Sequence, residues 1–227
     1  MKRATDNISL IMCDKFYRKW LRLALLVAAT TFVQSFIATP GVRALRSNGF
    51  EYSMQDGTVS ILACNAGCPT NLVIPPYIND YPVTTIGINA FRNETISSVT
   101  IPNTVTRIES FAFSQNEITN LLLPDSVMFV GNFAFAYNKI NSLDFGGAAT
   151  TIGAGAFTYN KLTALTIPST IDSISEYAFA NNDLTFLSLP TNLAFIPFAA
   201  FMSNKLTGVS IPSSVTHIEG YAFYGNE

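Results

Sequence analysis

The chain has 227 residues, and 48% of them are hydrophobic, which is enough for a packed core. Only 12% are charged, roughly half the share of an ordinary soluble protein. After Ala44 the chain carries 6 Lys and Arg against 13 Asp and Glu, a net charge of −7. This acidic body argues against nucleic-acid binding, because contacts to a phosphate backbone need clustered cations.

Residues 1–44 are typical of an export signal peptide. A basic stretch over residues 15–22 precedes an apolar run over residues 23–38. Val42 and Ala44 satisfy the small-residue cleavage rule, so we place the cut after Ala44. The run of 16 residues is shorter than the ~20 of a membrane span. We therefore expect a secreted or cell-surface protein with no stable span after cleavage, and an uncleaved anchor is the alternative.

Residues 45–71 are predicted to form a capping hairpin at the N-terminal end of the body. Alternating strands flank Asp56-Gly57, which is a favoured two-residue hairpin turn. Cys64 and Cys68 are an even pair in an exported chain, which indicates a disulfide across the short loop between them. Free thiols are the alternative. A metal site is disfavoured, because no third or fourth ligand lies nearby in the sequence.

Residues 72–227 repeat one pattern every 22 residues. The pair Ala-Phe recurs in this register, and so do an apolar-Pro pair and an asparagine. Ala-Phe begins at positions 90, 112, 134, 156, 178, 200 and 222. The asparagine column consists of Asn116, Asn138, Asn160, Asn182, Asn204 and Asn226. Three registers that agree over this many steps indicate a repeat architecture.

Each unit begins with L-x-x-L-x-L, whose alternating apolar residues predict a strand with one buried face. Pro ends this strand, since it has no N–H to donate. The V-x-x-I segment that follows turns the chain along the opposite side of the coil, where we expect a second short extended piece. The side chains of Ala-Phe are expected to fill the core. One unit cannot bury its apolar face alone, so stacked units must share a core through parallel strand pairing. The asparagines are interpreted as structural, because a buried amide can satisfy backbone groups left open by a turn; N-glycosylation of the column is disfavoured.

These units resemble the leucine-rich repeats of the BspA or Treponema pallidum type, L-x-x-[VI]-x-[IL]-P-x-x-[VL]-x-x-I-G-x-x-A-F-x-x-[NC], from residue 86 to residue 226. The resemblance implies a right-handed solenoid of the α/β horseshoe class. It would be β-rich, with short turns or 3₁₀ pieces and parallel strands on the concave face. It also implies a surface or secreted protein used in adhesion, without catalytic residues. Pro is lost at residues 145–147, and Pro197 replaces the usual Gly, so local distortion is expected there.

The outward residues of the L-x-x-L-x-L strands form the expected binding surface. They are small and polar apart from Leu122 and Phe186, which suits a glycan or an extended polypeptide, and also a plain solvated surface. The candidate binding residues are Thr100, Leu122, Asp144, Thr166, Phe186, Ser188 and Ser210. Phe129 and Phe195 lie between the V and I positions, where exposed aromatics would mark a contact. Packing onto adjacent coils is the alternative for these two rings.

The sequence contains no recognisable catalytic constellation. His217 is the single histidine, and neither a nucleotide-binding glycine motif nor a calcium loop is present. We predict no enzymatic activity, no cofactor and no metal, and a protein or carbohydrate ligand. The alternatives are a structural spacer that displays another domain, or the repeat part of a larger enzyme. The chain stops in mid-unit at Glu227, so we expect a solenoid truncated at its C-terminus.

Overall fold

A computed structural model of the chain describes residues 44–149 and 151–227. The predicted signal peptide lies outside these residues apart from Ala44. The described part consists of short strands joined by turns, with no α-helix or 3₁₀-helix. No helix long and apolar enough to cross a membrane occurs in these two ranges. Parallel strands that pair at a spacing of 22 residues confirm the predicted leucine-rich-repeat solenoid.

The N-terminal part of the described chain is a small mixed sheet joined to the first coil. Its strands are β1 (Leu45–Ser47), β2 (Phe50–Gln55), β3 (Thr58–Cys64), β5 (Tyr77–Ile78) and β6 (Tyr81–Ile86). β2 and β3 form a hairpin, β1 pairs with β2, and β3 runs parallel to β6. β5 and β6 form a second hairpin. The ring of Phe50 meets that of Phe91 edge-on at 6.1 Å, so the first hairpin packs against the core of the solenoid.

Two rows of strands run along the solenoid. The first row, called the strand face, contains β4 (Asn71–Val73), β7 (Ser98–Thr100), β9 (Asn120–Leu122), β11 (Ser142–Asp144), β13 (Ala164–Thr166) and β15 (Phe186–Ser188). The second row contains β8 (Arg107–Ile108), β10 (Phe129–Val130), β12 (Thr151–Ile152), β14 (Ser173–Ile174), β16 (Phe195–Ile196) and β17 (His217–Ile218). The strands of the second row are the short extended pieces expected at the V-x-x-I step.

The two rows differ in how their strands pair. The second row continues the sheet of β3 and β6 as far as β14, and β16 and β17 form a separate pair. The break coincides with Pro197: at the equivalent positions Gly153 and Ser175 donate their N–H to the preceding coil, and proline has no N–H. The strand face instead pairs two by two, as β4–β7, β9–β11 and β13–β15. Each interface between neighbouring coils therefore keeps a ladder in at least one row.

A column of phenylalanine rings forms the centre of the core. Phe113, Phe135 and Phe157 are fully buried and stack on one another with centroids 5.1 and 5.6 Å apart. The stack continues through Phe179 and Phe201 at 5.5 and 5.7 Å. The preceding alanine of each Ala-Phe pair is also buried, because the backbones of adjacent coils approach closely at this corner. The repeated dipeptide is thus one large and one small core position.

The asparagine column lies at the same corner and joins neighbouring coils. The Asn160 Nδ2 donates to the carbonyl oxygens of Phe135 (2.9 Å) and Phe157 (3.1 Å), and its Oδ1 accepts from the Ile140 N–H (3.0 Å). The same pattern recurs around the other five asparagines, from Asn116 to the partly buried Asn226. These bonds satisfy backbone groups that would otherwise be buried without a partner, a cost of about 1–3 kcal/mol each.

Two residues flanking each Ala-Phe pair adopt left-handed backbone conformation. Phe133, for example, has φ of 54° and Tyr137 has φ of 58°. Their N–H groups, with that of Phe135 between them, all donate to carbonyls of the following coil. Left-handed residues cost roughly 1–2 kcal/mol each for non-glycine side chains. The hydrogen bonds to the following coil offset this cost. They form because left-handed residues alternate with right-handed ones, which points the N–H groups of Phe133, Phe135 and Tyr137 toward the same coil.

The disulfide between Cys64 and Cys68 closes a loop with a Cα–Cα distance of 5.4 Å and confirms the predicted pairing. We expect the double variant Cys64→Ser, Cys68→Ser to lose about 2 kcal/mol of unfolding free energy, since a short loop removes little chain entropy. Urea unfolding of the oxidised protein and the variant measures this difference. Wild-type protein in reductant should match the variant, and equal stability of oxidised and variant protein would contradict the prediction.

Candidate functional site

The strand face presents two outward side-chain positions per coil, on either side of a leucine or valine that is buried or half-buried. In β9 the buried residue is Leu121, and Asn120 and Leu122 point outward. The outward residues at the Leu122 position are Val73, Thr100, Leu122, Asp144, Thr166, Ser188 and Ser210, all exposed except the half-buried Ser188. The equivalents of Asn120 are Ser98, Ser142, Ala164, Phe186 and Gly208, all exposed. The coil with Gly208 and Ser210 has no strand here.

A groove of about 680 Å³ lies on this face where β7 and β9 are not paired. The side chain of Leu122 is 64% exposed and forms an apolar wall. The polar lining comes from amides, hydroxyls and carboxylates: Thr100, Asn103, Asn120, Asp125, Ser142 and Asp144. The groove therefore combines an apolar surface with several convergent polar groups, which is the composition of a binding site.

Phe186 is the one aromatic residue at an outward position of the strand-face strands described above. Its ring is 55% exposed. Its cross-strand neighbour is Ala164, and the equivalent residue of the following coil is Gly208, which has open space around the position of a Cβ. Both neighbours are too small to cover an aromatic ring, so the faces of this ring are open to a ligand.

Carboxylates are the only charged groups that line the groove. The Asp125 Oδ1 accepts the N–H of Gly147 (2.8 Å), and the Asp144 Oδ1 accepts the N–H of Gly146 (3.1 Å). These bonds hold both carboxylates in place at the rim. The replacement of proline by Gly146 thus adds one backbone donor, the N–H that Asp144 accepts.

A row of charged side chains precedes the strands and is paired internally. The Lys139 Nζ lies 3.1 Å from the Glu117 Oε1, and Asp183 contacts Lys205 at 2.8 Å and Lys161 at 3.7 Å. The hydrogen bond from Lys205 lowers the pKa of Asp183 more than burial raises it, and Asp183 in turn raises the pKa of Lys205. Each of these three lysines thus has a carboxylate partner, and Lys161 and Lys205 share Asp183.

We expect Lys205→Met to raise the pKa of Asp183 toward its ordinary value, because the variant removes the main hydrogen-bond donor. In the native chain this carboxylate favours the folded state above the ordinary carboxyl pKa, and the benefit is lost as the pH falls through the lower folded value. Solvent exposure keeps the benefit small. NMR titration of the carboxyl carbon measures the shift. Lys139→Met is the control, and an unchanged Asp183 pKa in Lys205→Met would refute the assignment.

The structure places the other two candidate aromatics in the second row. The ring of Phe195 is 41% exposed, whereas Phe129 is half-buried beneath the guanidinium of Arg107 at 4.2 Å. Neither ring adjoins the groove, since the row lies on the other side of each coil. Tyr137 and Tyr159 stack face to face at 4.6 Å, so their ring faces cover each other.

Sequence reasoning missed part of the groove. Asn103 and Asp125 line it, but they follow the proline of their units and belong to turns. No sequence pattern marks the unpaired interface between β7 and β9, where the groove lies. In residues 44–149 and 151–227, no three or more His, Cys, Asp or Glu side chains form a group suited to a metal ion.

Comparison with known proteins gives one family match and several structural matches. A model of the BspA type leucine rich repeat region matches residues 84–207 and 150–227, with six copies. No curated protein sequence matches the chain.

Three solved structures illustrate the structural similarity. A leucine-rich repeat protein from Bacteroides ovatus is 27% identical, with a TM-score of 0.64 over 79% of this chain and 50% of that one. One from Eubacterium ventriosum is 24% identical, with a TM-score of 0.61 over 80% of this chain and 51% of that one. The leucine-rich repeat protein of Treponema pallidum is 17% identical, with a TM-score of 0.49 over 69% and 86%. The chain spans about half the length of the first two proteins.

Proposed function

Because the chain belongs to the BspA-type leucine-rich-repeat family, we propose that it is a non-catalytic binding module for a protein or carbohydrate partner. The module acts in adhesion, after secretion or at the cell surface. Its contact surface is the strand face. The observation that carries this proposal is the set of three exposed large apolar side chains there, Val73 at 65%, Leu122 at 64% and Phe186 at 55%, among small polar neighbours.

The strand face also has the rigidity that a contact surface needs. Its outward side chains alternate with Leu121, Leu165 and Leu187, which are buried in the core. The backbone beneath Phe186 is fixed by pairing with β13 over three residues. A surface held in place before binding loses little conformational freedom when a ligand arrives, so more of the contact energy appears as affinity.

Binding of the full chain to an array of glycans and purified extracellular-matrix proteins tests this function. We expect at least one probe to bind, and the double variant Leu122→Glu, Phe186→Glu to weaken that binding at least roughly tenfold, because both anchors are replaced by charge. Ala194→Glu, exposed on the other side of its coil, is the control and should bind as the wild type does. If no probe binds above background, the chain is a spacer and the proposal fails.

A further inference from the structure

We infer that the ligand of the strand face is an uncharged oligosaccharide, held in the groove beside Leu122 and stacked on the ring of Phe186. This inference rests on the proposed function and narrows its partner to one chemical class. Three observations support it: the charge of the groove, the kind of polar group that lines it, and the open faces of an isolated ring.

The charge of the groove disfavours anionic ligands. Asp125 and Asp144 stand at its rim, and the residues that line it include no Lys or Arg. The nearby lysines of the preceding row lie outside the lining, where Lys139 pairs with Glu117 and Lys161 shares Asp183 with Lys205. A sulfated, phosphorylated or uronic-acid chain would bring negative charge against two carboxylates without a cation to offset it. The ligand is therefore neutral or cationic.

The polar lining of the groove suits hydroxyl groups. Side-chain amides of Asn103 and Asn120 both donate and accept hydrogen bonds, and carboxylates accept two or more. Asp125 and Asp144 each accept a glycine N–H through one carboxylate oxygen, and this hydrogen bond fixes the position of the second oxygen. A sugar ring offers vicinal hydroxyls that donate and accept at the same time. Such a ligand matches this mixture of donors and acceptors without charge.

Phe186 provides an apolar contact for the sugar. The C–H face of a sugar ring packs on an aromatic face, and Ala164 and Gly208 leave both faces of this ring open. Phe186 lies three coils beyond Asn120, or roughly 14 Å at the usual strand spacing. A ligand that reaches from the groove to this ring thus lies along the solenoid axis and contains several sugar units.

An extended cationic peptide fits the same face less well. Peptides that bind to sheets usually pair with a free strand edge. The unpaired interface of β7 and β9 does not provide one, because the Thr119 N–H reaches the Ser97 carbonyl (3.4 Å) and holds the two coils at single-coil spacing. The surface between the groove and Phe186 is lined by short side chains such as Ala164 and Thr166, which give a long peptide side chain little area to contact.

The test measures binding of the full chain to immobilised hexasaccharides of glucose, mannose, galactose and N-acetylglucosamine, to heparin and hyaluronan oligosaccharides, and to an alternating Lys-Leu decapeptide. We expect one or more of the neutral hexasaccharides to bind, with an affinity that changes less than twofold between low and high salt, because no ion pair is involved. Phe186→Ala should weaken this binding at least roughly tenfold. Phe195→Ala, the same truncation on the other row of the same coil, should leave it unchanged.

Other outcomes overturn the inference in distinguishable ways. Preference for heparin or hyaluronan would contradict the charge argument. A second outcome is that the decapeptide binds in a salt-sensitive way that depends on Phe186, while no neutral sugar binds. The ligand would then be a cationic peptide, and the strand face would remain the binding site. Binding that Phe195→Ala abolishes and Phe186→Ala does not would move the site to the second row, and with it the proposed function would fail. Thermal melts of both variants check that each remains folded.

Discussion

Replacing Phe157 with alanine is expected to destabilise the solenoid by about 3–5 kcal/mol, because it empties the middle of the phenylalanine column. Its ring is fully buried between those of Phe135 and Phe179, at 5.6 and 5.5 Å, and the ring of Phe145 meets it edge-on at 6.0 Å. The neighbouring coils are tied to each other by backbone hydrogen bonds and cannot collapse into the space. Chemical denaturation with circular dichroism measures the loss.

Phe157→Leu separates the loss of packing volume from the loss of ring stacking. Leucine keeps part of the buried volume, so we expect it to recover about half of the stability lost by alanine. The matched control is Phe195→Ala, which removes an exposed ring from the second row and should change stability by less than about 1 kcal/mol. A cost for Phe157→Ala no larger than that of the control would show that the phenylalanine column does not hold the coils together.

Asn160→Ala is expected to cost about 3 kcal/mol, which is large for a polar side chain. The Ile140 N–H loses the Asn160 Oδ1 and remains buried, because alanine can neither reach it nor admit water. The carbonyls of Phe135 and Phe157 each keep a second amide donor, from Asn138 and Asn182, so they contribute less. Denaturant unfolding gives the free energy, and Asn141→Ala, at an exposed asparagine of the next turn, is the control.

Asn160→Asp tests the same bonds by charge. Aspartate keeps an acceptor for the Ile140 N–H, but its carboxylate faces the carbonyl oxygens of Phe135 and Phe157 instead of donating to them. Burial and these oxygens should raise the pKa of the new carboxyl, so the variant should gain stability as the pH falls and the acid is protonated. A variant as stable as the wild type at neutral pH would contradict the role assigned to the asparagine amide.

The 22-residue period was sufficient to predict the fold. Ala-Phe and L-x-x-L-x-L recur in one register, and a single stacked core is the arrangement that buries both in every coil. The departures from the pattern were also informative, since Pro197 interrupts the second row where a backbone donor is missing. The left-handed backbone of Phe133, Tyr137 and Tyr177 was not predictable. Sequence rules associate that conformation with glycine or asparagine, and here hydrogen bonds between coils impose it on bulky residues.

The candidate site was predictable only in part. Leu122 and Phe186 interrupt columns of small polar residues, so the sequence identifies them as unusual. Whether a side chain at a repeated position is covered depends on the residue at the same position of the adjacent coil, as Phe129 beneath Arg107 shows. The groove lies at an interface that is unpaired on the strand face, and no residue type in the repeat pattern distinguishes paired from unpaired interfaces.

Some interfaces between coils have a strand ladder in both rows and others in only one, so neighbouring coils are not joined equally along the solenoid. Where the strand face is unpaired, between β7 and β9 and between β11 and β13, the second row keeps its ladder and joins the coils on one side. Between β14 and β16 the open side is the second row, and β13 and β15 hold the strand face closed. The strand face is also unpaired between β15 and the coil of Gly208, which has no strand on this face, while β16 and β17 pair in the second row. Three interfaces thus lack a ladder on the strand face and one lacks it in the second row, while bonds at the Ala-Phe corner join every pair of coils. We therefore expect any bending of the solenoid to occur mainly in the plane that widens or narrows the strand face.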